Sequence, residues 1–279
     1  MSVVCDGSFN LGFEAEKEKF VVSEGVPEVN IRTSVGRLPE NPMGERLFDA
    51  GAVWQLYHHN GYYMFSFSSL AFRSNPYKIA IFDQDFSYGE VHIHPDFSGR
   101  NQPVDPLWSP LDELLYSNLL ARGRGVEVHA CGLIDTEGQG HLFIGVSGAG
   151  KTTMARLWED IPGVKILSDD RIILRRKNGK IWMYGTPWHG EGGQSFAGSV
   201  PLSRIYFLKK ARQNVLAPLK EADTVSRLFT CSFLPFYNRE AVDFTLGFLS
   251  EIAQEVPCFE LSVVPDKNVV KFIKKGLLS

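Results

Sequence analysis

Short runs of alternating aromatic and polar residues dominate the first hundred positions of the chain. The stretch AVWQLYHHNGYYMFSF (52–67) has one such run on each side of Asn60-Gly61, a dipeptide typical of a type I′ turn between paired strands. The stretch YKIAIFDQDFSYGEVHIHPD (77–96) predicts a second pair of short strands. Residues 1–105 are therefore predicted to form a small β-rich N-terminal domain.

A polar segment and a helix start follow this β-rich region. The segment PDFSGRNQPVDPLWSP (95–110) is rich in Pro, Asp and Ser and predicts a linker. Ser109 is a candidate N-cap, with Pro110 at the first helical position and two acidic residues in the first turn. LDELLYSNLLA (111–121) then keeps an apolar face at helical spacing until Gly123 and Gly125.

From residue 125 onward, predicted strands alternate with predicted helices. Apolar strand-like runs occur at 125–135, 141–146, 164–170, 203–210 and 256–264, and a helix is predicted at 151–160 between the second and third of these runs. A hairpin is predicted around Asn178-Gly179. This alternation predicts an α/β C-terminal domain over residues 106–279, so the chain as a whole is of the α+β type.

Composition and charge narrow the class of protein without naming a function. The 279 residues are 44% hydrophobic and 22% charged, with a formal net charge of −3, which gives no global field for nucleic acid or membranes. The four cysteines are scattered, as is usual for reduced thiols. The first residues lack a signal-peptide pattern, and no apolar run reaches transmembrane length. We therefore expect a cytoplasmic protein with no nucleic-acid and no membrane partner.

The stretch GVSGAGKT (145–152) fits the phosphate-binding pattern G-x-x-x-x-G-K-[ST], with a predicted strand before it and a predicted helix after it. Its glycines allow successive backbone N–H groups to point inward at an anion, and the helix adds its positive end. Lys151 is expected to reach the β- and γ-phosphates of a bound nucleotide, and the Thr152 hydroxyl to bind Mg²⁺. The expected nucleotide-binding residues are Gly145, Ser147, Gly148, Ala149, Gly150, Lys151, Thr152 and Thr153.

Two adjacent carboxylates, Asp169 and Asp170, end the next predicted strand, ILSDDRIIL (166–174). A P-loop protein needs a carboxylate near the metal, and a kinase commonly uses Asp to accept the proton of the acceptor hydroxyl. The pair is therefore expected to supply the metal ligand together with Thr152 and to supply the catalytic base. Which Asp has which role stays open, and the following Arg171 is expected to neutralise the pair.

GVSGAGKTT followed closely by ILSDDRIIL, with VEVHACG (126–132) one strand upstream, resembles the catalytic domain of HPr kinase/phosphorylase. That P-loop fold is shared with phosphoenolpyruvate carboxykinase, a much larger protein. The resemblance covers about residues 125–210. It implies an HPr kinase/PEP carboxykinase-like P-loop core, ATP and Mg²⁺ as cofactors, catalytic roles for Lys151, Asp169 and Asp170, and a His129 that faces the phosphate site.

The chain departs from that family downstream of the acidic pair. In place of the family's EIRGLG-type signature it has GTPWHGEGG (185–193), a long glycine-rich loop that is expected to act as a flap over the acceptor. It resembles more the HPr-kinase-related proteins found with peptide-modification systems. The expected acceptor is therefore a peptide or small protein, and the family is often homo-oligomeric. Expected acceptor-binding residues are Thr186, Trp188, His189 and Glu191.

The leading hypothesis is an ATP- and Mg²⁺-dependent kinase for a Ser or Thr hydroxyl. Two alternatives remain open on the sequence. One is a nucleotide-gated module that binds a peptide or protein without phosphotransfer. The other is a kinase for a small molecule such as free serine.

Overall fold

The computed structural model describes residues 1–6, 9–40, 44–72, 76–97 and 103–276. The chain is a mixed α/β protein with two β-sheets. It divides into two compact units, Met1–Leu115 and Tyr116–Ser279. The expected boundary at 105/106 lies ten residues before this division, which falls inside a helix, and the independence of the two domains stays a prediction.

Unit 1 is built on one sheet. Its elements are β1 (Ser2–Cys5), α1 (Ala15–Glu18), β2 (Asn30–Val35), β3 (Glu45–Asp49), β4 (Trp54–His59), β5 (Tyr62–Phe67), β6 (Lys78–Asp83) and β7 (Tyr88–Ile93). In the described residues these strands form a seven-stranded sheet in the order β1-β2-β7-β6-β5-β4-β3. The β1–β2 and β2–β7 pairs are parallel and the others antiparallel.

The two strand pairs predicted in this unit are confirmed. Strands β4 and β5 pair antiparallel around Asn60 (φ 49°) and Gly61 (φ 81°), and positive φ at both central residues defines the predicted type I′ turn. Strands β6 and β7 form the second pair. Phe65 and Phe67 of β5 are fully buried, so the alternation in the sequence marks the core face of this sheet.

Part of the predicted linker is packed into unit 1. Residues 98–102 lie outside the described residues, but Val104 bridges to Leu11, and Lys17 Nζ lies 2.8 Å from an Asp105 carboxylate oxygen. Lys78 Nζ donates to the Trp108 carbonyl at 2.7 Å and is buried, which lowers the pKa of this amine to about 7. Amino-acid composition carries no information about these contacts. For that reason the composition of the segment predicts a linker although the segment is packed.

Helix α2 (Leu111–Leu120) runs across the division between the units. It begins one residue after the predicted first helical position, and Pro110 instead contributes its carbonyl to the N–H of Leu114 at 3.0 Å. The helix boundary was therefore wrong by one residue, while the helix itself is confirmed.

Unit 2 carries the glycine-rich motif and the acidic pair. Its strands are β8 (Val126–Ile134), β9 (Gly140–Ile144), β10 (Lys165–Ser168), β11 (Arg171–Lys177), β12 (Lys180–Tyr184), β13 (Ser199–Lys210), β14 (Val215–Pro218), β15 (Ser232–Phe233) and β16 (Cys258–Val263). Its helices are α3 (Lys151–Glu159), α4 (Glu221–Thr230), α5 (Arg239–Glu255) and α6 (Asn268–Gly276). The hairpin at Asn178-Gly179 is confirmed, with φ values of 51° and 73°.

Strand β8 is the centre of this second sheet. It pairs antiparallel with β9 on one edge and with β10 and then β11 on the other. Strand β12 joins β11 to β13, and β13 runs parallel to both β9 and β16. The five strands β8, β11, β12, β13 and β9 thus form a closed ring, in which each strand pairs with the next and β9 pairs with β8. Strands β9 and β10 flank β8, so both run in one direction and both end near the middle of β8.

Two hydrophobic cores lie on opposite faces of the sheet. Neighbouring residues of β9 and β13 point alternately to one core and to the other. One core includes Leu228 of α4 and Leu249 and Ile252 of α5. The other includes Trp158 of α3 and Val269 of α6. Helices therefore cover both faces of the sheet from which β9 and β10 end.

The helices in the part of the chain that the structure describes can be compared with the thickness of a bilayer. No helix there combines the length and the apolar character needed to cross a bilayer.

Candidate functional site

The glycine-rich motif forms the connection between β9 and α3, as predicted. Gly148 (φ 76°) and Gly150 (φ 112°) have left-handed backbone conformations that other residues rarely adopt. A Cβ on Gly145 would lie 2.5 Å from the Cβ of Ala149, so the loop also needs a glycine where it closes on itself. The loop and the N-terminus of α3 together offer a cradle for an anion.

Lys151, the first residue of α3, turns its side chain back over this loop. Its Nζ donates to the carbonyls of Gly145 at 2.7 Å and Val146 at 3.3 Å, and the residue is 7% exposed. Burial lowers the pKa of this amine, while the negative charges of Asp170 and Asp169 act in the opposite direction. The lysine amine is thus held against the loop carbonyls and interacts electrostatically with the acidic pair.

The acidic pair lies across β8 from the motif. Ala130 of β8 pairs with Ile144 at the end of β9 on one side, and on the other side its N–H donates to the Asp170 carbonyl at 2.9 Å. Two strand spacings, about 9.5 Å, therefore separate the backbone of Asp170 from the start of the motif. The strand pairing, not the 18-residue separation in sequence, brings the two together.

Asp169 and Asp170 face different partners. The break between β10 and β11 falls at this pair, with a register irregularity just before it. Asp169 is 1% exposed, and its Oδ1 and Oδ2 accept the backbone N–H groups of Gly190 at 2.8 Å and Gly192 at 3.0 Å. The point where a Cβ on Gly190 would lie is 3.1 Å from Asp169 Oδ2 and 3.7 Å from Thr152 Oγ1. Asp169 thus shares one small region with the Thr152 hydroxyl.

Asp170 faces two basic side chains. Its Oδ1 lies 3.2 Å from His129 Nδ1, and its Oδ2 accepts a hydrogen bond from Arg171 Nε at 3.2 Å. The hydrogen bond from His129 and the charge of Arg171 hold the pKa of the Asp170 carboxyl below its usual value, against the opposing effect of burial. His129 and Asp170 are therefore in direct contact, and an orientation of His129 toward bound phosphate stays a prediction.

Ser168 stabilises the turn between β10 and β11 through three hydrogen bonds. Its buried hydroxyl oxygen accepts the N–H groups of Asp170 and Arg171, both at 3.0 Å, and donates to the Trp188 carbonyl at 2.7 Å. This turn is an interaction of a serine with the backbone two and three residues on. The pattern SDDR contains the signal for it, but only the folded chain shows that it also fixes residue 188.

The long loop after β12 is tied down rather than loose. The Phe196 N–H donates to the Leu167 carbonyl at 3.0 Å, and Gln194 hydrogen-bonds Glu159. Thr186 is 1% exposed, and its hydroxyl donates to the Arg171 carbonyl at 2.7 Å. Thr186 therefore anchors the loop and has no surface to offer an acceptor. The strand edge thus supplies hydrogen bonds to the two ends of the loop, and a flap over the acceptor stays a prediction.

Three other residues of this loop were expected at the acceptor site. Trp188 is half-buried, with its ring 5.6 Å from the Arg171 guanidinium carbon and edge-on to Tyr116. His189 and Glu191 are exposed, and His189 Nδ1 lies 3.0 Å from the Gly190 carbonyl. In the motif itself, Ser147 and Thr153 are exposed and Thr152 is half-buried. All these residues lie on unit 2.

Sequence reasoning missed several residues of this cluster. Glu127 of β8 is fully buried with its Oε1 3.4 Å from Arg171 Nη1, and the ring of Phe233 in β15 lies 4.5 Å from the Arg171 guanidinium carbon. Gly190 and Gly192 bind Asp169 through their backbones. Glu127 precedes His129 by two residues, and residues two apart in a strand lie on the same face of the sheet. This spacing was the one signal in the sequence that could have placed Glu127 near the site.

Comparisons with known proteins identify no family for the chain. No family model matches it, and no curated protein matches it. Among solved structures, one similar chain is described as "Structure of the Hpr(Ser) kinase/phosphatase from Coxiella burnetii". The two chains are 12% identical, the match covers 54% of this chain and 94% of that chain, and the TM-score is 0.34.

Proposed function

We propose that the chain is an ATP- and Mg²⁺-dependent kinase that transfers a phosphoryl group to a Ser or Thr hydroxyl of a peptide or small protein. The observation that carries this proposal is the convergence of Lys151, Thr152, Asp169 and Asp170 from the ends of β9 and β10 on either side of β8. Nucleotide binding alone needs the loop and the lysine. A second, separately held carboxylate is what phosphotransfer adds.

The nucleotide would bind at the loop from Gly145 to Thr153. Backbone N–H groups around Gly148 and Gly150 surround its phosphates, and α3 adds the positive end of its dipole. Lys151 Nζ exchanges its two carbonyl partners for phosphate oxygens, which are better partners because they are charged. Its cation then balances the charge that develops on the transferred group.

The donors in this region fit Mg²⁺. The Thr152 hydroxyl and the Asp169 carboxylate are hard oxygen ligands that flank one point, and each Asp169 oxygen keeps a second lone pair beside its hydrogen bond. In the described residues no group of three His, Cys, Asp or Glu side chains is arranged to hold a metal. Such a site suits an ion whose remaining ligands are nucleotide phosphates, and the ion would supply charge neutralisation there.

Asp170 would accept the proton of the acceptor. The hydroxyl oxygen forms a bond to the γ-phosphorus, the bond from that phosphorus to the β-bridging oxygen breaks, ADP leaves, and the hydroxyl proton passes to Asp170. This carboxylate is ionised at neutral pH, as an aspartate normally is, and His129 and Arg171 each hold one of its two oxygens. The base role thus goes to Asp170 and the metal role to Asp169.

The acceptor segment would approach over the loop that follows β12. Trp188 is half-buried, and His189 and Glu191 are exposed on this loop beside the carboxylates. An aromatic ring with neighbouring polar groups suits a short peptide around the acceptor hydroxyl. A free amino acid would use few of these contacts, which is why the proposal names a peptide or small protein.

Incubation of the protein with Mg·ATP and a Ser/Thr peptide library tests this function. We expect mass spectrometry to find peptides heavier by one phosphoryl group, and the same peptides with Ala at the acceptor position to stay unmodified. Nucleotide-dependent retention of peptides without any phosphorylated product would replace the kinase by a binding module. Phosphorylation of free serine alone would assign a small-molecule kinase.

Replacing Gly192 by Ala is expected to raise the Mg²⁺ concentration needed for half-maximal activity about tenfold, because a Cβ at this position would lie 2.5 Å from Asp169 Oδ2 and displace the carboxylate. Titration of activity with Mg²⁺ at fixed ATP measures the effect. Gly193→Ala is the control, since Gly193 (φ 68°) has strained backbone but no atom within 4 Å of that point. An equal shift in both variants would assign the effect to loop strain.

A further inference from the structure

Arg171 lies between two aromatic rings beside the acidic pair. Its guanidinium carbon is 4.5 Å from the centre of the Phe233 ring and 5.6 Å from that of Trp188. Both rings are themselves held. Phe233 pairs with Glu127 through β15, and the Trp188 carbonyl accepts the Ser168 hydroxyl. The guanidinium therefore lies within cation–π distance of rings from two separate elements.

The edge of the same guanidinium reaches two carboxylates in different directions. Nε donates to Asp170 Oδ2 at 3.2 Å, and Nη1 lies 3.4 Å from Glu127 Oε1. Glu127 is fully buried, and a buried carboxylate needs a cation because removal from water is costly. Arg171 thus has one partner that anchors it in the core and one that faces the site.

Strand pairing makes this a continuous chain of contacts. Arg171 is directly opposite His129 in the β11–β8 register, and Glu127 precedes His129 by two residues on the same face. The contacts run from Glu127 to Arg171, from Arg171 to Asp170, and from Asp170 to His129. Each oxygen of the Asp170 carboxylate is therefore held by a different basic side chain.

We propose that Arg171 is a positioning residue, which Glu127, Phe233 and Trp188 hold in place so that it fixes the orientation of the Asp170 carboxylate toward the acceptor. This inference rests on the proposed kinase function and adds a specific requirement for the geometry of arginine. Simple neutralisation of the acidic pair would need only a positive charge. Positioning needs the planar fork, which stacks on two rings and donates in two directions.

The substitution Arg171→Lys separates positioning from neutralisation, because it keeps the charge and removes the fork. We expect kcat to fall about 100-fold, the effect of displacing a reacting group by about 1 Å. The affinity for Mg·ATP, measured by calorimetry, and the KM for ATP are expected to stay within about twofold of the wild-type values, since the nucleotide contacts other residues. A kcat for Arg171→Lys that stays near the wild-type value would overturn the inference.

Arg175→Lys is the matched control. Arg175 lies on the same strand, is exposed, and donates its Nε to the Arg124 carbonyl. Its replacement is expected to leave kcat and KM unchanged. Equal losses in Arg171→Lys and Arg175→Lys would indicate a general requirement of β11 and would also overturn the inference.

Glu127→Gln tests the anchor at the other end. It keeps the shape of the side chain and removes the charge that holds Nη1 of Arg171. We expect a smaller loss of kcat, about tenfold, with an unchanged Kd for Mg·ATP. Thermal unfolding of each variant identifies any that fails to fold. Unchanged kcat in a folded Glu127→Gln variant would contradict the role assigned to Glu127.

A spectroscopic measurement separates failure of this inference from failure of the proposed function. In ¹H–¹⁵N spectra the Nε–H of Arg171, assigned by its absence in Arg171→Lys, is expected to exchange slowly with solvent in the wild-type protein. Glu127→Gln is expected to speed this exchange. Slow exchange without phosphotransfer to any acceptor would reject the kinase function alone. Phosphotransfer with a rapidly exchanging Arg171 would reject the positioning role alone.

Discussion

Asp170→Asn is expected to lower kcat for phosphotransfer about 1000-fold, within the range that a positioned general base contributes. The amide cannot take the hydroxyl proton, but its oxygen can still accept the hydrogen bond from His129 or Arg171. The affinity for Mg·ATP is expected to stay within about twofold, because Asp169 and Thr152, rather than Asp170, flank the proposed metal position. Single-turnover kinetics and calorimetry measure the two quantities.

Asp160→Asn is the control for this experiment. Asp160 caps the C-terminus of α3, and its carboxylate pairs with Lys267 at 2.9 Å on the surface. The same chemical change there is expected to have no effect on kcat. A retained kcat in Asp170→Asn, together with a lost kcat in Asp169→Asn, would exchange the roles of the two carboxylates. Full activity in both variants would remove the kinase mechanism.

Lys151→Met is expected to abolish the response to nucleotide in every function considered. Methionine fits the buried stem of the lysine but supplies no cation at the phosphates. We expect kcat/KM for ATP to fall about 1000-fold, the contribution typical of a single cation at the transferred phosphoryl group. Isothermal titration with Mg·ATP is expected to show much weaker binding as well.

Lys180→Met is the control, because Lys180 is exposed at the start of β12. Comparison with Asp170→Asn separates the two classes of function. A kinase loses product in both variants and loses nucleotide affinity only in Lys151→Met. A nucleotide-gated binding module loses partner binding in Lys151→Met and keeps it in Asp170→Asn. Unaltered nucleotide affinity in Lys151→Met would show that the glycine-rich loop is not the nucleotide site.

Local signals were sufficient for the elements that carry the site. The turns at Asn60-Gly61 and Asn178-Gly179 were readable because each dipeptide favours positive φ at both central residues. The strand, loop and helix around residues 140–159 could be predicted because a continuous apolar run before the glycines is followed by a helical spacing of apolar residues after them. Both signals involve residues that are adjacent in sequence.

Composition alone gave an incomplete expectation for two segments whose side chains and backbone bind residues that are distant in sequence. The segment 103–110 looks like a linker, yet Val104 is buried and Trp108 accepts a hydrogen bond from the buried Lys78. The loop from 185 to 193 looks like a flap, yet Thr186 is buried and Gly190 and Gly192 bind Asp169. In both cases the partner is distant in sequence.

The sequence by itself determined the spacing between a glycine-rich loop of the phosphate-binding pattern and a carboxylate pair, together with the α/β class of the domain that holds them. Only the tertiary structure decided that Asp169 faces Thr152 while Asp170 faces His129 and Arg171. The reason is that the orientation of a side chain at the break between two strands is set by the neighbouring segments that hydrogen-bond to it. Here His129 of β8, 41 residues before Asp170, holds one carboxylate, and Gly190 of the loop after β12, 21 residues after Asp169, holds the other.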